Sequence, residues 1–106
     1  MHAEVATKTE EGIDADAALA ALNDDRCRAI LAATEDAALT AQEIADACDL
    51  PMSTAYRKLE PLTQASLLRE RLRLRSDGNH VSEYSCASTS VRLGFRGDSL
   101  EVTLAD

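Results

Sequence analysis

The sequence predicts an α+β domain in which three to four helices precede two β-hairpins. Apolar residues recur with a helical period up to about residue 65 and alternate with a period of two from residue 67 onward. Two groups of turn residues, SDGN at 76–79 and RGDS at 96–99, divide the alternating part into short strands. With 106 residues, of which 45% are hydrophobic, the chain is long enough for one domain around one core.

The first third of the chain predicts a tail and two helices. Residues 1–12 are polar and acidic without periodicity, which favours a disordered tail. Residues 14–22 are rich in alanine and begin with acidic residues, which suit the positive end of a helix dipole. Asn23 and Asp24 can accept hydrogen bonds from a first helical turn, so they predict the start of a second helix over residues 24–34. The predicted inner face of that helix carries Cys27, Ile30, Leu31 and Ala33.

Thr40 and Glu43 have the spacing of a capping box. In this motif the threonine hydroxyl accepts the N–H three residues later, and the glutamate carboxylate accepts the N–H of the threonine. Leu39 and Ile44 stand where a hydrophobic staple would join the two sides of the cap. The pattern predicts a short third helix over residues 41–48.

A tight turn and Pro51 lead into a fourth helix, predicted over residues 52–65. Apolar residues at positions 52, 55, 59 and 62 share one face. The polar side chains predicted on the other side are Ser53, Thr54, Arg57, Lys58 and Gln64. Pro61 lacks an N–H and crowds the preceding turn, so the helix is expected to kink or end near Glu60. Because Leu62 continues the apolar face, we predict that the helix runs on.

The next segment predicts a β-hairpin, the Arg-rich wing at residues 68–84. Residues 67–75 alternate so that four arginines share one face of a strand: Arg69, Arg71, Arg73 and Arg75. The turn at 76–79 leads into a second strand over residues 80–88. A two-residue turn at Asp77-Gly78 predicts the pairs Arg71–Tyr84, Leu72–Glu83, Arg73–Ser82, Leu74–Val81 and Arg75–His80.

Together these elements have the order of a winged helix-turn-helix: a short helix, a tight turn, a helix with a polar start, and a hairpin. We assign this domain to residues 13–88. Residues 89–106 form a C-terminal extension with a second, shorter hairpin. That hairpin is either a dimerisation edge or a further layer of the sheet.

The charge distribution supports a nucleic-acid partner for this domain. The net charge of −8 by itself argues against such a partner, whose binding proteins are usually basic. However, residues 51–75 carry a net charge of +4, and this is the stretch that a winged helix presents to DNA. We therefore predict a sequence-specific DNA-binding transcriptional regulator with the helix at 52–65 in the major groove. Double-stranded DNA is the predicted partner, and two copies would read two half-sites as a homodimer.

Each predicted contact residue has a stated role. Arg57 suits a guanine, whose O6 and N7 accept from arginine. Ser53, Thr54 and Lys58 would hold phosphates, and Tyr56 either packs against the body or donates to a phosphate. The four wing arginines would grip the flanking groove, although charge on an edge strand also protects it from aggregation. His80 is either a polar turn residue or a groove contact.

Other functional classes are disfavoured. No nucleophile–base pair, paired carboxylates or glycine-rich phosphate loop appears, so we expect neither an enzyme nor a cofactor. Three cysteines at positions 27, 48 and 86 are without metal-ligand spacing, which favours small buried side chains over metal or redox sensing. No apolar run reaches transmembrane length and no signal peptide is recognisable, so a cytoplasmic location is expected.

The composition also bears on the salt content of that cytoplasm. Acidic residues are spread along the chain, lysine is scarce and alanine is abundant. Dense carboxylates keep a surface hydrated where salt strengthens apolar association, which favours a salt-adapted protein. An ordinary acidic protein from a GC-rich genome is the other interpretation.

Three segments carry a resemblance to a known family: LNDDRCRAILAAT at 22–34, LTAQEIADACDLPMSTAYRKLEPLTQASLL at 39–68 and RERLRLRSDGNHVSEY at 69–84. They resemble haloarchaeal winged helix-turn-helix transcriptional regulators of the arsenic-repressor-like (ArsR-like) group. DLPMSTAYRKL is also similar to the start of the recognition helix in isocitrate-lyase-regulator-like (IclR-like) proteins. The resemblance covers residues 16–88 and implies the same fold, DNA as partner, and a haloarchaeal source.

The chain departs from that family at three points. Family members carry a charged residue in place of Pro61 and glycine in place of Ser66. Because glycine is the usual left-handed residue after a helix, its replacement by Ser66 is expected to remove that left-handed residue. The Cys-x-Cys metal-sensing motif of the arsenic sensors is absent.

A second hypothesis is a winged-helix docking module for the transcription machinery or a toxin partner, in which the wing arginines pair with an acidic protein.

Overall fold

The computed structural model describes residues 13–105, and its helices and antiparallel strands confirm the predicted α+β class. The elements are, in chain order, α1 (Ala15–Leu22), α2 (Asp25–Ala33), β1 (Leu39–Thr40), α3 (Ala41–Cys48), α4 (Met52–Gln64), β2 (Leu68–Arg73), β3 (Val81–Cys86), β4 (Val91–Arg96) and β5 (Ser99–Leu104). The predicted tail at residues 1–12 lies outside the described residues.

Side-chain caps begin the first three helices. The Asp14 carboxylate accepts from the N–H of Ala17, 3.1 Å away. Asp24 accepts from two N–H groups of the first turn of α2, at 2.8 and 3.1 Å. The capping box of α3 is present in both directions: the N–H of Glu43 donates to the Thr40 hydroxyl at 3.2 Å, and the N–H of Thr40 donates to the Glu43 carboxylate at 2.9 Å. Each cap pairs N–H groups that a helix start leaves without a partner.

Left-handed residues end both α3 and α4. Asp49 has φ 57° and Ser66 has φ 63°. The next N–H in each case returns to a carbonyl five residues back, from Leu67 to Leu62 and from Leu50 to Ala45, both at 2.9 Å. The expected loss of the left-handed residue at Ser66 is therefore wrong, because the serine adopts that conformation itself. The helix also runs on through Pro61 to Gln64, as predicted.

The wing strands pair one residue out of the predicted register. Arg71 lies opposite Glu83 and Arg73 lies opposite Val81, whereas Tyr84 lies opposite Glu70. The turn explains the shift. The N–H of Gly78 donates to the carbonyl of Arg75 at 3.1 Å, and Gly78 has φ 84°. The loop is therefore a turn followed by a left-handed glycine, which uses three residues where two were predicted.

The core lies between the helices and the inner face of a three-stranded sheet ordered β1–β3–β2. Ile30, Ile44 and Leu62 are fully buried, and Tyr84 closes the core from the sheet side at 8% exposure. On the predicted inner face of α2, Cys27 is also buried, while Leu31 is only partly buried. The strands β4 and β5 form a separate sheet, in which β5 contacts α1.

Candidate nucleic-acid interface

The helices α3 and α4, joined by a tight turn, present the start of α4 to solvent. Ser53 and Arg57 are exposed, and Tyr56 is 56% exposed. Pro51 precedes α4 without making a side-chain hydrogen bond to its first turn. The N–H groups of a first turn attract anions such as phosphate. The start of α4 thus combines the Arg57 side chain, the hydroxyl groups of Ser53 and Tyr56, and the positive end of a helix dipole.

Thr54 was predicted on this exposed face, and that placement is wrong: only 7% of it is exposed. Thr54, Lys58 and Leu62 lie four residues apart, which places them on one stripe beside the core. The Thr54 hydroxyl accepts from the Arg57 guanidinium, with Nη2 3.3 Å from Oγ1. Thr54 therefore orients the guanidinium group of Arg57 instead of facing solvent.

Lys58 is directed into the protein. Its Nζ donates to Asp24 Oδ2 at 2.6 Å, and 21% of the lysine side chain is exposed. The Lys58 hydrogen bond, with help from the N–H groups of α2, lowers the pKa of Asp24 to about 2. This ion pair connects the middle of α4 to the start of α2 and orients α4 on the body.

The arginine face of the wing is the outer face of the sheet. Arg71 in β2, Glu83 in β3 and Thr40 in β1 follow one another across the sheet. Side chains alternate along a strand, so Glu70 and Tyr84 are on the inner face. Both of them line a cleft with α4. The arginines that share a face in β2 are thus turned away from α4, a relation that the hairpin pattern alone did not reveal.

Arg73 is the most heavily bonded of the wing arginines. Its Nε donates to Glu83 at 2.8 Å, and its two terminal nitrogens donate to Glu43 at 3.1 and 3.2 Å. One of them also donates to the carbonyl of Ala38 at 3.2 Å. The Arg73 hydrogen bond and the N–H of Thr40 lower the pKa of Glu43. Arg73 thus attaches the wing to the capping box of α3.

The remaining candidates lie toward the surface. Arg71 and Arg75 are exposed, and Arg69 is exposed while donating to the carbonyl of Ala87 at 3.2 Å. His80 is exposed at the wing tip, where its Nδ1 accepts from the N–H of Arg75 at 3.2 Å. This bond matches the interpretation of His80 as a turn residue.

Two open clefts separate α4 from the wing. One of about 480 Å³ is lined by the starts of α3 and α4 and by Tyr56 and Arg75. The other, of about 420 Å³, is lined by Tyr56, Glu60 and Glu70. Burial and the charge of Glu70 raise the pKa of Tyr84, which lines both clefts. Arg75 is therefore the wing arginine that shares a cleft with the exposed start of α4, and the acids Glu60 and Glu70 restrict the basic surface there.

Sequence reasoning missed the acidic partners of the cations. Asp24 was recognised as a cap and Glu43 as half of a capping box, but neither as an ion-pair partner. Each lies 30 or more residues from its cation, and no local pattern signals such a pair. Within residues 13–105, no three His, Cys, Asp or Glu side chains group to hold a metal, and no helix has the length and hydropathy to cross a membrane.

Comparison with known proteins agrees with this geometry. A family described as a helix-turn-helix domain matches residues 22–71, from the end of α1 into β2. A solved structure of a possible transcriptional regulator from Methanosarcina mazei Go1 is similar, with a TM-score of 0.56 and 19% identity. The match covers 70% of this chain and 65% of that one, so this chain spans less than two thirds of that protein's length. No curated protein matches. With β2 and β3 following it, the matched segment has the order of elements of a winged helix-turn-helix fold.

Proposed function

We propose that the chain is a sequence-specific DNA-binding transcriptional regulator. The observation that carries the proposal is the exposed Arg57 at the start of the second helix of a helix-turn-helix, oriented by its hydrogen bond to Thr54. The N-terminal part of that helix is the part that meets base edges in the major groove. Arg57 reads a guanine, and Ser53 and Tyr56 bind the neighbouring phosphates.

The cations divide into two groups in this proposal. Arg75 shares a cleft with Tyr56 and binds the backbone beside the recognition helix, and the exposed Arg69 and Arg71 add positive potential along the outer wing. Lys58 and Arg73 act as positioning residues, because each is ion-paired within the protein. Thr54 and His80 support their neighbours through the hydrogen bonds described above.

The proposed setting is the salt-rich cytoplasm of a haloarchaeon, as the family resemblance suggests. For each phosphate that the protein neutralises, log K falls by about 0.9 for every unit increase in log salt. Charge attraction therefore contributes little to binding at molar salt. Direct hydrogen bonds to bases remain effective there. A protein with a net charge of −8 suits such binding.

Fluorescence anisotropy at molar KCl tests this function. The probe is the promoter region of the protein's own gene, compared with scrambled DNA of equal length. We expect preference for the promoter, weakened by about 1–3 kcal/mol in Arg57→Ala, which is roughly tenfold to a hundredfold. Arg26→Ala, which removes an exposed arginine from α2, is the matched control and should bind like wild type.

Three results would contradict the proposal. Equal affinity for promoter and scrambled DNA would exclude preferential reading of this promoter, and unchanged binding by Arg57→Ala would exclude its readout role. If a protein shown to be folded by circular dichroism binds neither DNA, the docking-module hypothesis replaces this one.

A further inference from the structure

The C-terminal hairpin exposes an apolar surface on its outer strand. Leu93 is 50% exposed and Phe95 is 84% exposed, and both lie on the same face of β4. Their face continues into Val102 of β5, which is fully buried. One end of this apolar face is thus packed on the domain while the outer strand is left open.

The edge of β4 is also open within the described part of the chain. There, β4 pairs with β5, and β5 is the strand that contacts α1. A two-stranded sheet is marginally stable by itself, and an open edge with an apolar face is a template for another strand. The marginal stability of the two-stranded sheet and its open apolar edge both favour the addition of a further strand alongside β4.

We propose that β4 pairs with β4 of a second copy of this chain, antiparallel and centred on Gly94, to form a four-stranded sheet across a two-fold axis. In this register Leu93 of each copy lies opposite Phe95 of the other. The same apolar pair therefore forms twice, which is the self-complementarity that a two-fold interface requires.

The polar face of the hairpin has the charges that this pairing needs. It places Arg92 of one copy opposite Arg96 of the other, a repulsive arrangement by itself. Glu101 lies opposite Gly94, and its Oε1 is 3.8 Å from the position that a Cβ on Gly94 would occupy. The two Glu101 carboxylates thus lie beside the axis, between the two arginine pairs.

The apolar area is adequate for the centre of such an interface. Aromatic side chains bury roughly 150–250 Å² each, and most of Phe95 is exposed in the single chain. A stable dimer buries about 800 Å² per partner, to which the six-residue strand edge and the arginines at its rim also contribute. High salt strengthens apolar association of this kind.

The place of β4 in the fold leaves the candidate DNA interface open. The strand β3 runs from the wing tip to the wing base, and β4 begins five residues after β3 ends. The hairpin therefore continues from the end of the wing opposite to its tip. The inference concerns assembly alone and does not depend on DNA binding.

Light scattering coupled to size exclusion, at molar KCl, tests the pairing with the full chain. Wild type is expected at twice the chain mass of 11.4 kDa, and Phe95→Asp at the mass of one chain. Leu72→Asp is the matched control, because Leu72 is 60% exposed on the wing, and it should remain dimeric. Circular dichroism checks that each variant is folded. A monomeric wild type, or a dimeric Phe95→Asp, would overturn the proposal.

Disulfide trapping tests the register without removing any apolar contact. Gly94→Cys places thiols of the two copies opposite each other and should give a covalent dimer on oxidation, visible on a non-reducing gel. Arg92→Cys separates the two thiols by about four residues along the strands, so it should cross-link no more than wild type. Equal cross-linking by both variants, or none by Gly94→Cys, would reject the pairing about Gly94.

Discussion

Lys58 in α4 donates to Asp24, the residue that caps α2, although 34 positions separate them in the chain. The Asp24 carboxylate thus accepts from one ammonium group and from two backbone N–H groups. One side chain holds the start of α2 and the middle of α4 together. The lysine that a sequence pattern assigns to DNA is therefore occupied within the fold.

The Asp24 cap predicts an acid-sensitive contribution to stability. The folded-state pKa is about 2, below the ordinary value of 3.8, so the unfolded chain binds more protons between these values. The contribution is complete above about pH 4 and is lost as the pH falls toward 2. Urea unfolding midpoints of wild type and Asp24→Asn should therefore differ at pH 6 and converge near pH 2. Asp25→Asn, one residue later in the same turn, serves as control. A difference that persists unchanged to pH 2 would contradict this assignment.

Salt dependence should distinguish DNA-facing cations from structural ones. Arg75→Ala removes an exposed arginine and should reduce the slope of log K against log salt by about 1. Lys58→Ala should leave the slope unchanged and lower the unfolding midpoint, because its charge is paired with Asp24. Both quantities come from anisotropy titrations at several KCl concentrations and from urea melts. A reduced slope in Lys58→Ala would mean that the lysine reaches a phosphate.

Replacing Ser66 by glycine should stabilise the protein. Serine at φ 63° bears the steric cost of a left-handed residue, which glycine does not. Part of this gain is offset by the larger entropy of glycine in the unfolded chain, so we expect about 0.5–1 kcal/mol. The measurement is the free energy of unfolding in urea, with Ser66→Ala as control. A destabilised Ser66→Gly would show that the hydroxyl contributes more than the backbone costs.

Gly78 should be the sensitive position of the wing turn. A side chain there meets no atom within 4 Å, so any effect comes from its φ of 84°. Gly78→Ala should cost about 1–2 kcal/mol, and Gly78→Asn less, because asparagine tolerates the left-handed region. Unfolding free energies would rank the three proteins. Equal stability of all three would indicate that the wing turn adopts another conformation.

Local interactions explain why much of the fold was predictable. The capping box of Thr40 and Glu43, the stripe that ends at Leu62 and the alternation of the wing each involve neighbours along the chain. Hydrogen bonds and side-chain periodicity over such short distances depend little on the rest of the molecule. The element types and their order, including the helix through Pro61, follow from these signals.

The chemistry of the interface was decided by tertiary contacts. No local sequence pattern indicates that Lys58 pairs with Asp24 or that Arg73 pairs with Glu43, because these ion pairs join segments that packing of the core brings together. Thr54 is buried because the face of α4 against the body is wider than its apolar stripe. The wing register depends on whether the turn uses two residues or three, and one residue changes which side chains are paired. The sequence by itself determined the helices, strands and their order, whereas packing decided which cations remain exposed.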